Sequence, residues 1–264
     1  VKPAIEDYGI WFKRLDVPTE VGMIKAHYNN VIESNLCTTI QNEHGIEVST
    51  VEHLLAALAG TGVHNAIIEL DGAELPILDG SSLDYVRKIL SVGVTQLSEP
   101  IRAFKVIDEI EVRDGDLWAK ITPSNTLSIS FGINFKDSAI GNQELSLSMC
   151  NGSFVREISY CRTFCSMSAV KEVYDKGLAK GGSLNNAVVA EGDQILTPGG
   201  VRVEDECVRH KILDALGDLS LAGGVLIGAY SSHKGGHSLT NALLRKAFSQ
   251  VGAIQPIDVN EEMV

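Results

Sequence analysis

The stretch Glu204-Asp205-Glu206-Cys207-Val208-Arg209-His210-Lys211-Ile212-Leu213-Asp214-Ala215-Leu216-Gly217-Asp218-Leu219-Ser220-Leu221 decides the fold. Val208, Ile212, Leu216 and Leu219 recur at spacings of four, four and three, the period of an α-helix with one apolar stripe. Opposite them stand His210, Asp214 and Asp218, each four residues from the next, so all three side chains project from one face. A β-branched and apolar run, Val225 to Tyr230, then predicts a strand. Gly235-Gly236-His237 leads into a last predicted helix, roughly Leu239 to Phe248.

The first half repeats this order. Ser49 is a good N-cap for a helix from Thr50 to Ala59, and Gly60 and Gly62 sit where it should end. Ala66 to Leu70 predicts a strand, and Gly80-Ser81-Ser82 opens a helix near Leu83 to Leu90. The interval from His53 to Gly80 differs by one residue from that between His210 and Gly236. Such a repeat points to duplication: an α+β fold of two similar units, each a sheet with a pair of helices, forming a duplicated two-layer sandwich. The expected division is 1–97 and 98–264, with Gly93 to Pro100 as linker. Further strands are expected around Ile10 to Leu15 and Cys37 to Ile40, and at Ile110 to Val112, Leu117 to Ile121 and Leu127 to Phe131. A helix is expected over Ser168 to Lys176, followed by the glycine-rich loop Gly177 to Ser183.

Across 264 residues, 22 Lys and Arg against 34 Asp and Glu leave a formal charge of −12. That field repels nucleic acid and anionic lipid, so neither is an expected partner. No apolar run approaches the ~18 residues that span a bilayer, so no stable membrane insertion is expected. Five cysteines in a long chain fit reduced thiols in a cytoplasmic protein better than a disulfide framework. The chain opens with Val1-Lys2-Pro3 and no Met, from which a further N-terminal segment is expected.

His210 and Asp214, one turn apart, are spaced to bind one metal ion. His53, in the matching helix, is the candidate third ligand, leaving a fourth position for water. Zinc suits this set, and iron(II) is accepted by the same donors. Glu52 invites two readings: general base for that water, or the acidic member of an S-x-x-E capping box with Ser49. His237, beside a carboxylate such as Asp218, could protonate a leaving group. A structural zinc site from Cys161, Cys165, Cys207 and His210 competes for the same histidine. The bland reading is a non-catalytic binding module whose polar stripe faces solvent. A zinc peptidase is a further alternative, though the chain lacks H-E-x-x-H.

Six motifs then occur in order. They are Ser49-Thr50-Val51-Glu52-His53-Leu54-Leu55-Ala56-Ala57, Leu75-Pro76-Ile77-Leu78-Asp79-Gly80-Ser81, Arg162-Thr163-Phe164, Gly181-Gly182-Ser183, Arg209 to Asp214 with Gly217-Asp218-Leu219, and Gly236-His237-Ser238-Leu239 with Asn241. Together they closely resemble the UDP-3-O-acyl-N-acetylglucosamine deacetylases, zinc enzymes of bacterial lipid A synthesis. The resemblance implies two α+β domains with the active site between them, and zinc on His53, His210 and Asp214. It implies Glu52 as general base, His237 as general acid tuned by Asp218, and Thr163 as a hydroxyl facing the oxyanion. Lys211, Phe135, Phe164, Leu178, Gly182 and Ser183 would bind substrate, and the insert near 177–190 would form the acyl passage. The expected substrate is a UDP-linked acylated glucosamine, acted on by a cytoplasmic monomer. The family's sequences open with a Gly-Leu-His-Ser-Gly type segment placed before the position of Val1, so the expected N-terminal domain is one truncated at its start.

Overall fold

The computed structural model describes residues 1–34, 36–170 and 181–259. Strands Ile10–Arg14 and Ala66–Leu70 alternate buried and less buried positions, with Phe12, Ala66 and Ile68 facing the core. They pair in parallel, and Lys2–Pro3 and Met23–Lys25 add to the two sides antiparallel. Val31–Ile32, Thr39–Gln41 and Glu47–Val48 form a small antiparallel sheet leading to the first helix.

The second half repeats the device in a larger sheet. Its strand order is Asn142–Ser148, Ser128–Asn134, Ala229–His233, Leu117–Thr122, Ile110–Asp114. Only Ser128–Asn134 and Ala229–His233 run parallel; the other neighbours are antiparallel. In both halves, therefore, a strand following a histidine-bearing helix makes the parallel pair within its sheet. The fold is α+β, with two further three-stranded sheets. One joins Val225–Ile227, Ile101–Val106 and Ile254–Val259; the other joins Phe164–Ser166, Val188–Glu191 and Gln194–Ile195.

Four helices whose full extent lies within the described residues pack over these sheets: α1 (Glu52–Gly60), α2 (Leu83–Val92), α3 (Glu206–Ser220) and α4 (His237–Ser249). The expected stripe of Val208, Ile212, Leu216 and Leu219 is buried, but so are His210, Asp214 and Asp218 on the other face. That overturns the solvated polar stripe: α3 is enclosed all round, with α1 lying across its polar side. The crossing is close because Gly217 has no side chain; a Cβ there would lie 2.1 Å from the Glu52 carbonyl oxygen. Residues 93–100 are exposed and outside helices and strands, while most buried apolar side chains fall in one cluster reaching from Phe12 to Ala253, and Ala103, Ile227 and Val259 form a second, small one. Among the described residues, no helix is long and apolar enough to cross a membrane.

Two local expectations are corrected. The strand expected over Val225 to Tyr230 is two strands in different sheets. Gly228 is the break, where a Cβ would meet Val106 Cγ2 at 2.6 Å as the chain passes between sheets. Ser49 does not cap α1. It is bridged to Glu74, its N–H donates to Ala73 O and its carbonyl accepts from Leu75 N. The N-cap is Val51, with no side-chain cap bond, so Glu52 is the first helical residue and makes no capping box. The helix expected over 168–176 and the loop from 177 lie largely outside the described residues.

Candidate active site

The approach of α1 to α3 puts His53 against His210, ring centroids 5.0 Å apart and edge to face. Both rings aim Nε2 at one oxygen. Asp214 Oδ1 stands 3.2 Å from His210 Nε2 and 3.6 Å from His53 Nε2. His210 Nδ1 lies 3.0 Å from the Cys161 carbonyl oxygen. A carbonyl can only accept, so Nδ1 carries a proton and Nε2 is the nitrogen turned toward Asp214. Asp214 Oδ1 is buried with no hydrogen-bond partner. Two imidazole nitrogens facing a buried carboxylate oxygen that has no hydrogen-bond partner mark a place for a cation between them. The spacing fits a metal: donors about 2.1 Å from a tetrahedral zinc are about 3.4 Å apart. Among the described residues, His53, His210 and Asp214 are the one group of potential ligands within reach of a single ion. The competing cysteine set is not assembled, since Cys161 meets His210 through its carbonyl, and its Sγ faces Glu157 O at 3.9 Å.

The other Asp214 oxygen accepts from Lys211 Nζ at 2.8 Å, and that ammonium also lies 5.7 Å from the Phe131 ring centroid. Burial alone would raise the Asp214 carboxyl, but His210 and Lys211 outweigh it and hold the group well below the usual carboxylate range. Burial would likewise lower Lys211, and Asp214 reverses that, holding it above its ordinary value.

A second cluster adjoins the first. His237, the first residue of α4, places Nδ1 2.8 Å from Asp218 Oδ2 and Nε2 3.9 Å from Glu52 Oε1. Burial would drive this imidazole down. Asp218, by charge and hydrogen bond, and then Glu52 overcome that and lift it to about 10, so it is an imidazolium at neutral pH. Burial pushes Glu52 up, against the pull of His237 and His53. A carboxylate disposed to take a proton thus faces an imidazolium disposed to give one.

The segment 161–163 is clamped beside these groups. Glu206, fully buried one turn before His210, accepts from Arg162 N and Nε through Oε1 and from Nη2 through Oε2. Thr163 follows, its N–H donating to Gly80 O and its carbonyl accepting from Val188 N. Phe164 stacks edge-on to Phe135 at 5.3 Å and to His210 at 6.3 Å.

The family of UDP-3-O-acyl N-acetylglycosamine deacetylases (LpxC) matches residues 1–249 of the chain. The UDP-3-O-acyl-N-acetylglucosamine deacetylase of Shewanella woodyi is 40% identical over 264 residues, covering 99% of this chain and 86% of that protein. The enzyme of the same name from Phenylobacterium zucineum is 43% identical over 245 residues, 93% of this chain and 84% of its own length. That from Colwellia psychrerythraea is 42% identical over 252 residues, 95% and 82% respectively. The chain belongs to the UDP-3-O-acyl-N-acetylglucosamine deacetylase family.

Against that family's motifs, the structure brings together His53, His210, Asp214, Glu52, His237, Asp218 and Lys211, with Phe164 and Phe135 beside them. Gly182 and Ser183 lie in an exposed turn, where Ser183 N donates to Asn186 Oδ1. Leu178 falls outside the described residues. Reasoning from the sequence missed Thr38, Glu206 and the Cys161 carbonyl. Glu206 lies four residues before His210 and so could have been found by helical period; the other two act through backbone or across long sequence distance.

Proposed function

We propose that this chain hydrolyses the 2-acetamido group of a UDP-linked, 3-O-acylated glucosamine, releasing acetate and the free amine, the committed step of lipid A synthesis. Family membership supplies the substrate class. The observation that carries the chemistry is the orphaned Asp214 Oδ1 facing two histidine nitrogens, next to a base and an acid held 3.9 Å apart. His53, His210 and Asp214 would hold the metal, zinc by preference and iron(II) as the substitute the same donors accept. Such an ion, when bound, polarises the amide carbonyl and makes a neighbouring water acidic.

The protein's own groups do the rest. Glu52 takes the proton of the attacking water, and its buried carboxylate is the stronger base for being poorly solvated. Thr163 donates its hydroxyl to the oxyanion as the carbonyl becomes tetrahedral, a contact of a type worth about 2.7–4 kcal/mol. His237 gives its Nε2 proton to the nitrogen of the breaking C–N bond, while Asp218 on Nδ1 keeps the ring charged until then. After one turnover Glu52 holds the proton that His237 lacks, and the 3.9 Å between them gives it a short path back. Lys211, Phe135, Phe164, Leu178, Gly182 and Ser183 are the proposed substrate contacts, with Phe164 against the sugar and the 177–190 insert along the acyl chain. The two units meet at about 97/98, and the enzyme works as a cytoplasmic monomer.

The test is acetate release from UDP-3-O-acyl-N-acetylglucosamine, measured with added zinc, with iron(II), and after chelation. Turnover that survives complete metal removal, or none with either ion, refutes the reading.

A further inference from the structure

Thr38 is buried, with 2% of its surface exposed, and lies just before strand Thr39–Gln41. Its three polar groups all point at the acid–base cluster or its support. The backbone N–H donates to Glu52 Oε2 at 3.0 Å. The hydroxyl donates to Asp218 Oδ1 at 2.5 Å. The carbonyl accepts from Val51 N, the N-cap of α1, at 3.3 Å. The remaining oxygens, Glu52 Oε1 and Asp218 Oδ2, are the two that face His237, at 3.9 Å from Nε2 and 2.8 Å from Nδ1. Thr38, Glu52, His237 and Asp218 therefore form a closed ring, with one imidazole between two carboxylates and one threonine tying those carboxylates together.

We infer that Thr38 is a positioning residue for proton transfer. Its N–H and hydroxyl fix both carboxylates, so that the base and the acid keep one separation and one orientation. The need for such a tie follows from the helix ends involved. Glu52 opens α1 and His237 opens α4, and neither helix has a side-chain cap bond at that end. Asp218 sits near the far end of α3. The three groups thus come from three elements, and Thr38 touches two of them directly. A charge-assisted hydrogen bond of this length is among the stronger contacts available in an interior. Each carboxylate, with one oxygen spoken for, has only the other to offer His237, which sets the ring's rotation as well as its charge.

This rests on the deacetylase reading above, and the experiment separates the two. Thr38→Val removes the hydroxyl while keeping shape and the backbone donor. It should lower kcat about ten- to a hundredfold while leaving KM and metal content within twofold of the unchanged protein. Thr38→Ser should restore most of kcat. In an Asp218→Asn background, Thr38→Val should add less than twofold, because the contact it removes has already lost its charge. If Thr38→Val does not fold, Thr38→Ala takes its place with the same criteria. Full activity of Thr38→Val while Glu52→Gln and His237→Gln are inactive overturns the positioning role and leaves the deacetylase reading standing. An equal and independent loss in both backgrounds, or a loss that tracks metal content, also overturns it. Activity in Glu52→Gln and His237→Gln themselves sinks the underlying reading instead.

Discussion

Helices α1 and α3 bring their histidines to one point by opposite means. In α3, His210, Asp214 and Asp218 sit within a 15-residue helix, and the helical repeat alone puts them on one face. In α1, Glu52 and His53 are the first two residues of a 9-residue helix. That helix follows Thr50 at φ 59 and has no side-chain cap bond. Its functional end is held from outside, by Thr38, by Ser82 Oγ donating to the His53 carbonyl at 2.7 Å, and by the bare backbone of Gly217. One half of the site is thus set by local periodicity, the other by contacts from elsewhere in the fold.

The largest test of this contrast is Glu52→Gln. Its amide oxygen can still accept from Thr38, so α1 stays in place and metal content should be unchanged. Loss of the base should cost about 10²–10⁴-fold in kcat. A metal assay beside steady-state kinetics checks both, and unchanged turnover would make Glu52 a structural residue.

Next is Glu206→Gln, which tests whether α3 supports itself. Breaking one side of a buried ion pair costs about 3–5 kcal/mol, and Arg162 then no longer fixes the Cys161 carbonyl on His210. Denaturant unfolding should show the loss, and metal affinity should fall about 10–100-fold. Unaltered affinity would mean that α3 needs no such clamp.

Gly217→Ala separates the two helices directly. Alanine favours α3 by about 1 kcal/mol, yet its methyl collides with the Glu52 carbonyl, and overpacking costs about 1–3 kcal/mol. The expected result is a lower melting temperature together with weaker metal binding. A higher melting temperature would show that the crossing can relax.

The last effect is one of pH. His237 is raised from 6.5 to about 10, so the folded state binds its proton more tightly than the unfolded chain. Its stabilisation is fully present below about pH 6.5 and is lost as pH rises through about 10. Melting curves of His237→Gln and the parent should therefore differ most at pH 6 and converge toward pH 10. Divergence with rising pH would contradict the imidazolium assignment. For turnover, Glu52 must be ionised and His237 protonated. The rate should then rise above the ordinary carboxylate range and fall near pH 10.

The same contrast explains what the sequence made legible. The α3 set could be read from spacing, because a helix converts intervals of four into one face. The repeat led to His53, and the pattern from Leu127 to Phe131 marked a strand that proves central in its sheet. The S-x-x-E pattern misled, because Ser49 is claimed by backbone pairing with Ala73 and Leu75 and leaves Glu52 to Thr38. Thr38 left no local trace: its hydroxyl partner is 180 residues away, and its neighbours read as an ordinary strand. The break at Gly228 was equally hidden, since only the approach of Val106 shows why that glycine is needed.

The central claim is that two helices from the two halves share one ion. Metal content per chain, measured by inductively coupled plasma mass spectrometry on the parent, His53→Ala and His210→Ala proteins, tests it most directly. The parent should carry one equivalent and both variants should lose tight binding, His53→Ala removing the ligand from α1 and His210→Ala one of the two from α3. One full equivalent retained in either variant, with the protein folded, would contradict it.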